Sequence, residues 1–305
     1  MSDKLKIVDA HHHLWDLDKN YYPWLADKPE THFFLGDYED LKHNFMPADY
    51  RAETQGYDVV ATVHVDAEWD RNAQVAETKW LHEVAAEHGM PNAVVGHVWL
   101  AKENCEEVLS DHCGYPMMRG IRSKPITSLT PEDKESVKGK PGSMQDPNWL
   151  AGYALLQKYG LTYDLRVPHW HLPEAVEVVS QFPETRVVLN HTGFPWDRSE
   201  AGLAAWRENM RIIAEVPHVM VKISEHGVKD APWDDDDNRR VIREAIEIFG
   251  FDRCMFASNL PVCRLRAGFS TVVECVKSAV ADAAPEEREK LFSKNAADFY
   301  RIDIG

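Results

Sequence analysis

Short apolar runs rich in Val and Ile recur along the chain, and amphipathic stretches follow most of them. The runs fall at 7–10, 59–65, 93–100, 117–122, 161–167, 186–191, 219–223 and 254–257. Continuous apolar runs of this length, bounded by polar residues, are the signal of strands buried on both faces. Helical patterns fill 73–86, a segment opening near 173, then 202–214, 240–249 and 272–281. Eight strand-like runs alternating with helices predict parallel βα units, an α/β fold closed as a TIM-type (β/α)8 barrel. A doubly wound open sheet is the alternative, but it usually carries a Gly-rich phosphate loop after its first strand. Here His11-His12-His13 takes that place. Residues 125–147 are polar and rich in Pro, Ser, Lys and Gly. They follow the fourth run and read as a long βα loop of the lid-forming kind, not as a domain boundary. The expectation is therefore one barrel domain over 1–305.

Charge narrows the partners. The chain has 305 residues, with 34 Lys+Arg against 50 Asp+Glu, a net charge of −16. Nucleic acid and anionic membrane surfaces both need clustered Lys and Arg, so neither is expected as a partner. No apolar run approaches the roughly 18 residues of a membrane span, and no secretory signal is read at the start. The five cysteines are odd in number and form no C-x-x-C pair. Reduced thiols and a cytoplasmic protein are the expectation. A homo-oligomer is left open.

The 15 histidines are more informative, because several end apolar runs. With a strand period of two, Asp9, His11 and His13 share one face and His12 points the other way. At the C-terminal end of a barrel strand the inward face meets the active site. Two imidazoles two residues apart can hold one metal ion or one oxyanion. His191 ends the sixth run in the same manner. Asp66 follows the second run and His169 the fifth, and both are expected to shape the pocket. Arg119 and Arg122 flank Gly120 on the fourth run, with Lys124 just beyond, a basic spot in an acidic chain. A guanidinium there can hold a carboxylate with two parallel hydrogen bonds. Trp69 is one of several tryptophans in or beside βα loops that offer flat stacking faces. The acidic run 234–237 reads as a helix cap and not as a calcium loop, which would need alternating ligands and a Gly.

The segment Ile-Val-Asp-Ala-His-His-His-Leu-Trp-Asp at 7–16 resembles the opening of the amidohydrolase superfamily. It is most similar to the lactone-hydrolase branch that includes fuconolactonase and 2-pyrone-4,6-dicarboxylate lactonase. Met-Arg-Gly-Ile-Arg at 118–122, Val-Leu-Asn-His-Thr-Gly-Phe-Pro at 188–195 and Met-Phe-Ala-Ser-Asn-Leu-Pro-Val at 255–262 are similar to its later strand motifs. The resemblance spans essentially the whole chain. It implies a distorted barrel and hydrolysis of a ring ester. It further implies strand-one histidines that bind a divalent metal or polarise the substrate carbonyl, in a branch whose members can work without metal. The strand-eight motif of the branch carries an Asp that acts as general base. Here that position is Asn259, whose amide takes no proton near neutral pH. A pocket histidine, Glu225, Asp66 or Glu68 is then left to receive it.

These readings assign catalysis to His11, His13, His191 and Asn259, and substrate contact to Arg119, Arg122, Asp66, Trp69 and His169. The cofactor is none or one divalent metal, zinc if present, on His11, His13 and His191. The expected activity is opening of a lactone of a small sugar acid or organic acid. The alternatives are a dicarboxylate lactone of aromatic catabolism, metal-dependent decarboxylation, or a barrel that binds a small molecule without turnover.

Overall fold

A computed structural model of the chain describes residues 5–27 and 32–305. Its strands are β1 (Lys6–His12), β2 (Asp58–Val65), β3 (Ala93–Gly96), β4 (Met118–Ile121), β5 (Thr162–Leu165), β6 (Val187–Leu189), β7 (Val219–Ile223) and β8 (Cys254–Phe256). They lie in sequence order, each parallel to the next, with helices in the connections. This is the predicted (β/α)8 barrel. β3 stops four residues before its apolar run ends, because Val98 and Leu100 pack into the outer core from the loop.

Alternation sorts the apolar side chains into two cores. Val63, Val65, Val95, Val188 and Met255 fill the barrel interior, where Phe299 and Tyr300 of the helix Asn295–Tyr300 join them. The residues between them on the strands, such as Val94, Val187, Leu189, Val221 and Phe256, pack outward against the helices. Gly120 marks a close approach, since a Cβ there would fall 2.1 Å from Thr162 Oγ1. Among the described residues, no helix is long and apolar enough to cross a membrane.

β1 departs from simple alternation, and the site depends on it. Val8 and Ala10 join the inner core and Ile7 the outer one. Strict period two would turn His11 outward with Ile7 and Asp9. The register shifts between Asp9 and His12, and this irregularity brings the His11 ring inward beside His13 and His191. Asp9 therefore does not act with His11 and His13. Its carboxylate closes the barrel instead, accepting from Ser258 N at 2.8 Å, Ser258 Oγ at 2.6 Å and Tyr50 Oη at 2.8 Å. Backbone bonds from Asn259 N to His11 O (2.8 Å) and His13 N to Leu260 O (2.7 Å) complete the seam.

Asp234 caps the helix Asp235–Phe249, its Oδ1 accepting from Asp236 N and Asp237 N, each at 3.0 Å. The acidic run thus serves a helix terminus. The loop 125–147 is pinned through Ser128, whose N–H donates to His171 Nε2 at 3.0 Å while His171 Nδ1 donates to Glu174 Oε2 at 2.7 Å.

Candidate active site

A cavity of about 630 Å³ opens at the C-terminal end of the barrel. His13, Arg122, His191 and Asn259 reach it from the ends of β1, β4, β6 and β8, and Thr127 and Ser128 of the long loop cover one side. Left-handed backbone recurs at these strand ends, in Glu68 (φ 62), His191 (φ 57), Glu225 (φ 52) and Asn259 (φ 59). Such conformations cost about 1–3 kcal/mol each in non-glycine residues and cluster where side chains must be aimed.

The imidazoles sit in layers. The His11 ring lies 5.0 Å from that of His13 and 4.5 Å from that of His191, centroid to centroid. His11 is fully buried and lies beneath the cavity, not in its wall. Two obligate donors flank it, with Arg122 Nη1 3.4 Å from Nε2 and Lys222 Nζ 3.4 Å from Nδ1. A neutral ring has one lone pair and can satisfy only one of them. Burial, then the charge of Lys222, holds the His11 pKa well below its usual value. Burial, then Arg122, lowers His13 to about 3. Burial, then Arg166, Arg122 and Lys222, holds the His191 pKa well below its usual value. All three are neutral near pH 7.

Neutrality fixes what each can offer. His13 Nδ1 donates to Val65 O at 2.7 Å, which leaves Nε2 with a lone pair, an acceptor and not a donor. His191 Nδ1 lies 3.0 Å from Ser224 Oγ. When that hydroxyl donates, His191 Nε2 carries the proton.

Arg122 is held by Asp66. Its Nε donates to Asp66 Oδ1 at 2.6 Å and its Nη2 to the Asp66 carbonyl. Burial pushes the Asp66 carboxyl up, but Arg122 and then Arg71 more than reverse this and keep it ionised. Below His11, Lys222 pairs with Asp164, which also accepts from Asn190 Nδ2 at 3.0 Å and Tyr300 Oη at 3.0 Å. Beside the cavity, Asn259 Nδ2 donates to Glu225 Oε2, while Asn259 Oδ1 is buried without a partner.

Several expected contacts fall elsewhere. Arg119 sits near the start of β4 and donates to Pro116 O (2.7 Å) and Met118 O (2.9 Å), at the end opposite the cavity. Asp66 does not line the cavity, because its oxygens are spent on Arg122, Arg71 and the Glu68 N–H. Trp69 packs between Tyr22 and Trp80, and His169 accepts from Asn209 Nδ2 at 3.1 Å, both outside the wall. Lys222, Asp164, Arg166, Lys229, Phe34 and Trp24 were not singled out. Lys222 had a readable signal, a lysine at an inward position of strand seven; Phe34 and Lys229 lie in irregular loops with no periodicity to mark them.

The donor set does not fit a divalent cation. Among the described residues, no three His, Cys, Asp or Glu are grouped to hold one. His11 faces two cations, and the nearby carboxylates of Asp66 and Asp164 are already in ion pairs. A catalytic zinc takes three protein ligands with an open position, and among the described residues none is grouped with His13 and His191 as a third.

A family model described as amidohydrolase matches residues 8–302. An uncharacterized protein of Sinorhizobium fredii is 36% identical over 302 residues, covering 99% of this chain and 100% of the relative. L-fucono-1,5-lactonase of Burkholderia multivorans is 27% identical over 312 residues, covering 97% of this chain and 96% of the relative. Among solved structures, an amidohydrolase from Burkholderia multivorans with bound zinc matches with a TM-score of 0.79 at 25% identity, over 97% of this chain and 99% of that one.

Proposed function

The chain belongs to the amidohydrolase family, and from that premise we propose that it opens the ring ester of a small sugar-acid or organic-acid lactone. The observation that carries this reading is the convergence of His13, Arg122, His191 and Asn259 on one cavity at the barrel's C-terminal end. Lactonase relatives at modest identity support the same chemistry.

In this mechanism the lactone carbonyl oxygen sits against Arg122 and the Nε2–H of His191. Negative charge builds on that oxygen as water attacks the carbonyl carbon, and both groups bind it more strongly then than in the ground state. One such donor is typically worth about 10²–10³ in rate. His13 Nε2 and Asn259 Oδ1 are acceptors, suited to hold the attacking water or a substrate hydroxyl. His11 lies behind them and sets their packing. No step runs through a metal ion, because the donor set does not suit one.

The cavity charge favours one part of the substrate class. Among the described residues, Arg122, Lys124, Arg166 and Lys229 line it against the carboxylate of Glu68, in a chain of net charge −16. Trp24, Phe34 and Trp196 supply an apolar wall. A lactone bearing a carboxylate places its charge among these guanidinium and ammonium groups. The test is proton release over a panel of neutral aldonolactones and carboxylate-bearing lactones. Turnover is expected, with the higher kcat/KM on the carboxylated members. Binding with no turnover of any member would replace the enzyme with an idle barrel, and preference for the neutral lactones would return the substrate to plain sugar acids.

A further inference from the structure

We infer that Arg166 is the specificity-determining residue of this site, the cation that receives a carboxylate carried by the lactone. The inference rests on the lactone-hydrolase reading and names the residue behind its substrate preference. Arg122, Arg166 and His191 stand just beyond β4, β5 and β6, three consecutive strands of the barrel. Arg166 therefore sits on the rim between the two groups that take the carbonyl oxygen. It lines the cavity and is half-buried.

The cations of the wall are held in different ways. Arg122 donates to Asp66 through Nε and Nη2. Lys124 pairs with Glu68. Lys229 is exposed, in the stretch after β7. Arg166 is set against rings. Its guanidinium carbon lies 5.0 Å from the ring centroid of Phe194 and 5.5 Å from that of Phe34. Phe194 is fully buried in left-handed backbone (φ 55), and its ring centroid also lies 5.2 Å from that of His191. One fixed ring thus touches the cation and the imidazole together. Aromatic faces attract a guanidinium and restrain it, and its planar fork matches a carboxylate with two parallel hydrogen bonds. A cation restrained in advance loses less on binding than one on a mobile stem. Of the charges acting on His191, that of Arg166 lowers its pKa the most. A carboxylate on Arg166 and a carbonyl on His191 therefore lie within the span of one small molecule.

Two roles are open to a cation here, and they differ in their kinetics. A third donor to the carbonyl oxygen acts on every lactone alike. A carboxylate receptor acts only on lactones that carry one. A carbonyl oxygen offers two lone pairs, and Arg122 and His191 meet both, which leaves Arg166 for the second role.

The test is kcat/KM on a matched pair, an aldonolactone and the aldarolactone of the same sugar, which differ only in hydroxymethyl against carboxylate. Wild type, Arg166→Gln and Arg166→Lys are compared. Wild type should favour the carboxylated member. R166Q should lower the ratio of carboxylated to neutral by about 10–10²-fold, the range for a hydrogen bond to a charged group. R166K keeps the charge without the planar fork, and its ratio should fall between the two. An unchanged ratio in R166Q overturns the inference, and so does an equal loss on both members, which would mark an oxyanion donor. A ratio that collapses in Lys229→Gln and holds in R166Q would move the carboxylate to Lys229 and overturn it too. A wild type that prefers the neutral member overturns it with no variant needing to fold. If wild type turns over no lactone at all, the functional reading falls and takes this inference with it.

Discussion

Lys222→Met tests the interior on which the three histidines rest. Lys222 and Asp164 are both fully buried and form an ion pair in the barrel interior. Removing the ammonium leaves a buried carboxylate with neutral donors only, Tyr300 Oη at 3.0 Å and Asn190 Nδ2 at 3.0 Å. Breaking a buried pair from one side typically costs about 3–5 kcal/mol, because the remaining charge is uncompensated. Asp164→Asn should cost a similar amount, since it strands an ammonium 3.4 Å from His11 Nδ1. The double variant K222M/D164N removes both charges and should fall within about 1 kcal/mol of wild type, or exceed it. At about 2 °C per kcal/mol for a large domain, each single variant should lose roughly 6–10 °C in Tm. Urea unfolding of all four proteins at pH 7 gives the coupling energy directly. Single variants that lose under about 1 kcal/mol, or a double variant as unstable as the two losses summed, would refute the claim that pairing offsets the burial of both charges.

Three further outcomes follow. Glu225 is a buried acid whose pKa rises from 4.5 to about 7 on folding. Folding favours its neutral form, so its contribution is fully present below pH 4.5 and is lost as pH rises through about 7. Across that window wild type should lose up to about 3 kcal/mol relative to E225Q, and parallel stability profiles would contradict the shift. His13→Ala removes an acceptor aimed at the cavity and should cut kcat at least about 10²-fold, as loss of a positioned catalytic group does; an active variant would dismiss it from the mechanism. Elemental analysis of purified protein should find well under one equivalent of zinc and full activity after chelation, whereas one tightly held equivalent would overturn the metal-free site.

The barrel was legible because its strands are buried on both faces, so each becomes an unbroken apolar run with turns at its ends. Site residues were legible to the extent that they stand at or just past the ends of those runs, as His191, Arg122 and Asn259 do. Where alternation breaks, the sequence is silent. Asp9 and His11 share a parity, yet the register shift in β1 separates a barrel-closing carboxylate from an inward imidazole. Arg119 and Arg122 could not be told apart because a run of six residues, 117–122, does not reveal which end of a four-residue strand each one occupies. Asp66 illustrates a third limit. Its position was foreseen, but its partner was not, and the partner turns a candidate substrate contact into the residue that holds Arg122 in place.

The proposed reaction is water attack on a lactone carbonyl carbon in the cavity bounded by His13, Arg122, His191 and Asn259. Turnover in heavy-oxygen water tests it most directly. The expected product carries one labelled oxygen, located in its new carboxylate. Label in the hydroxyl would mean attack at the alkyl carbon and would contradict it, as would recovery of a ring that stays closed.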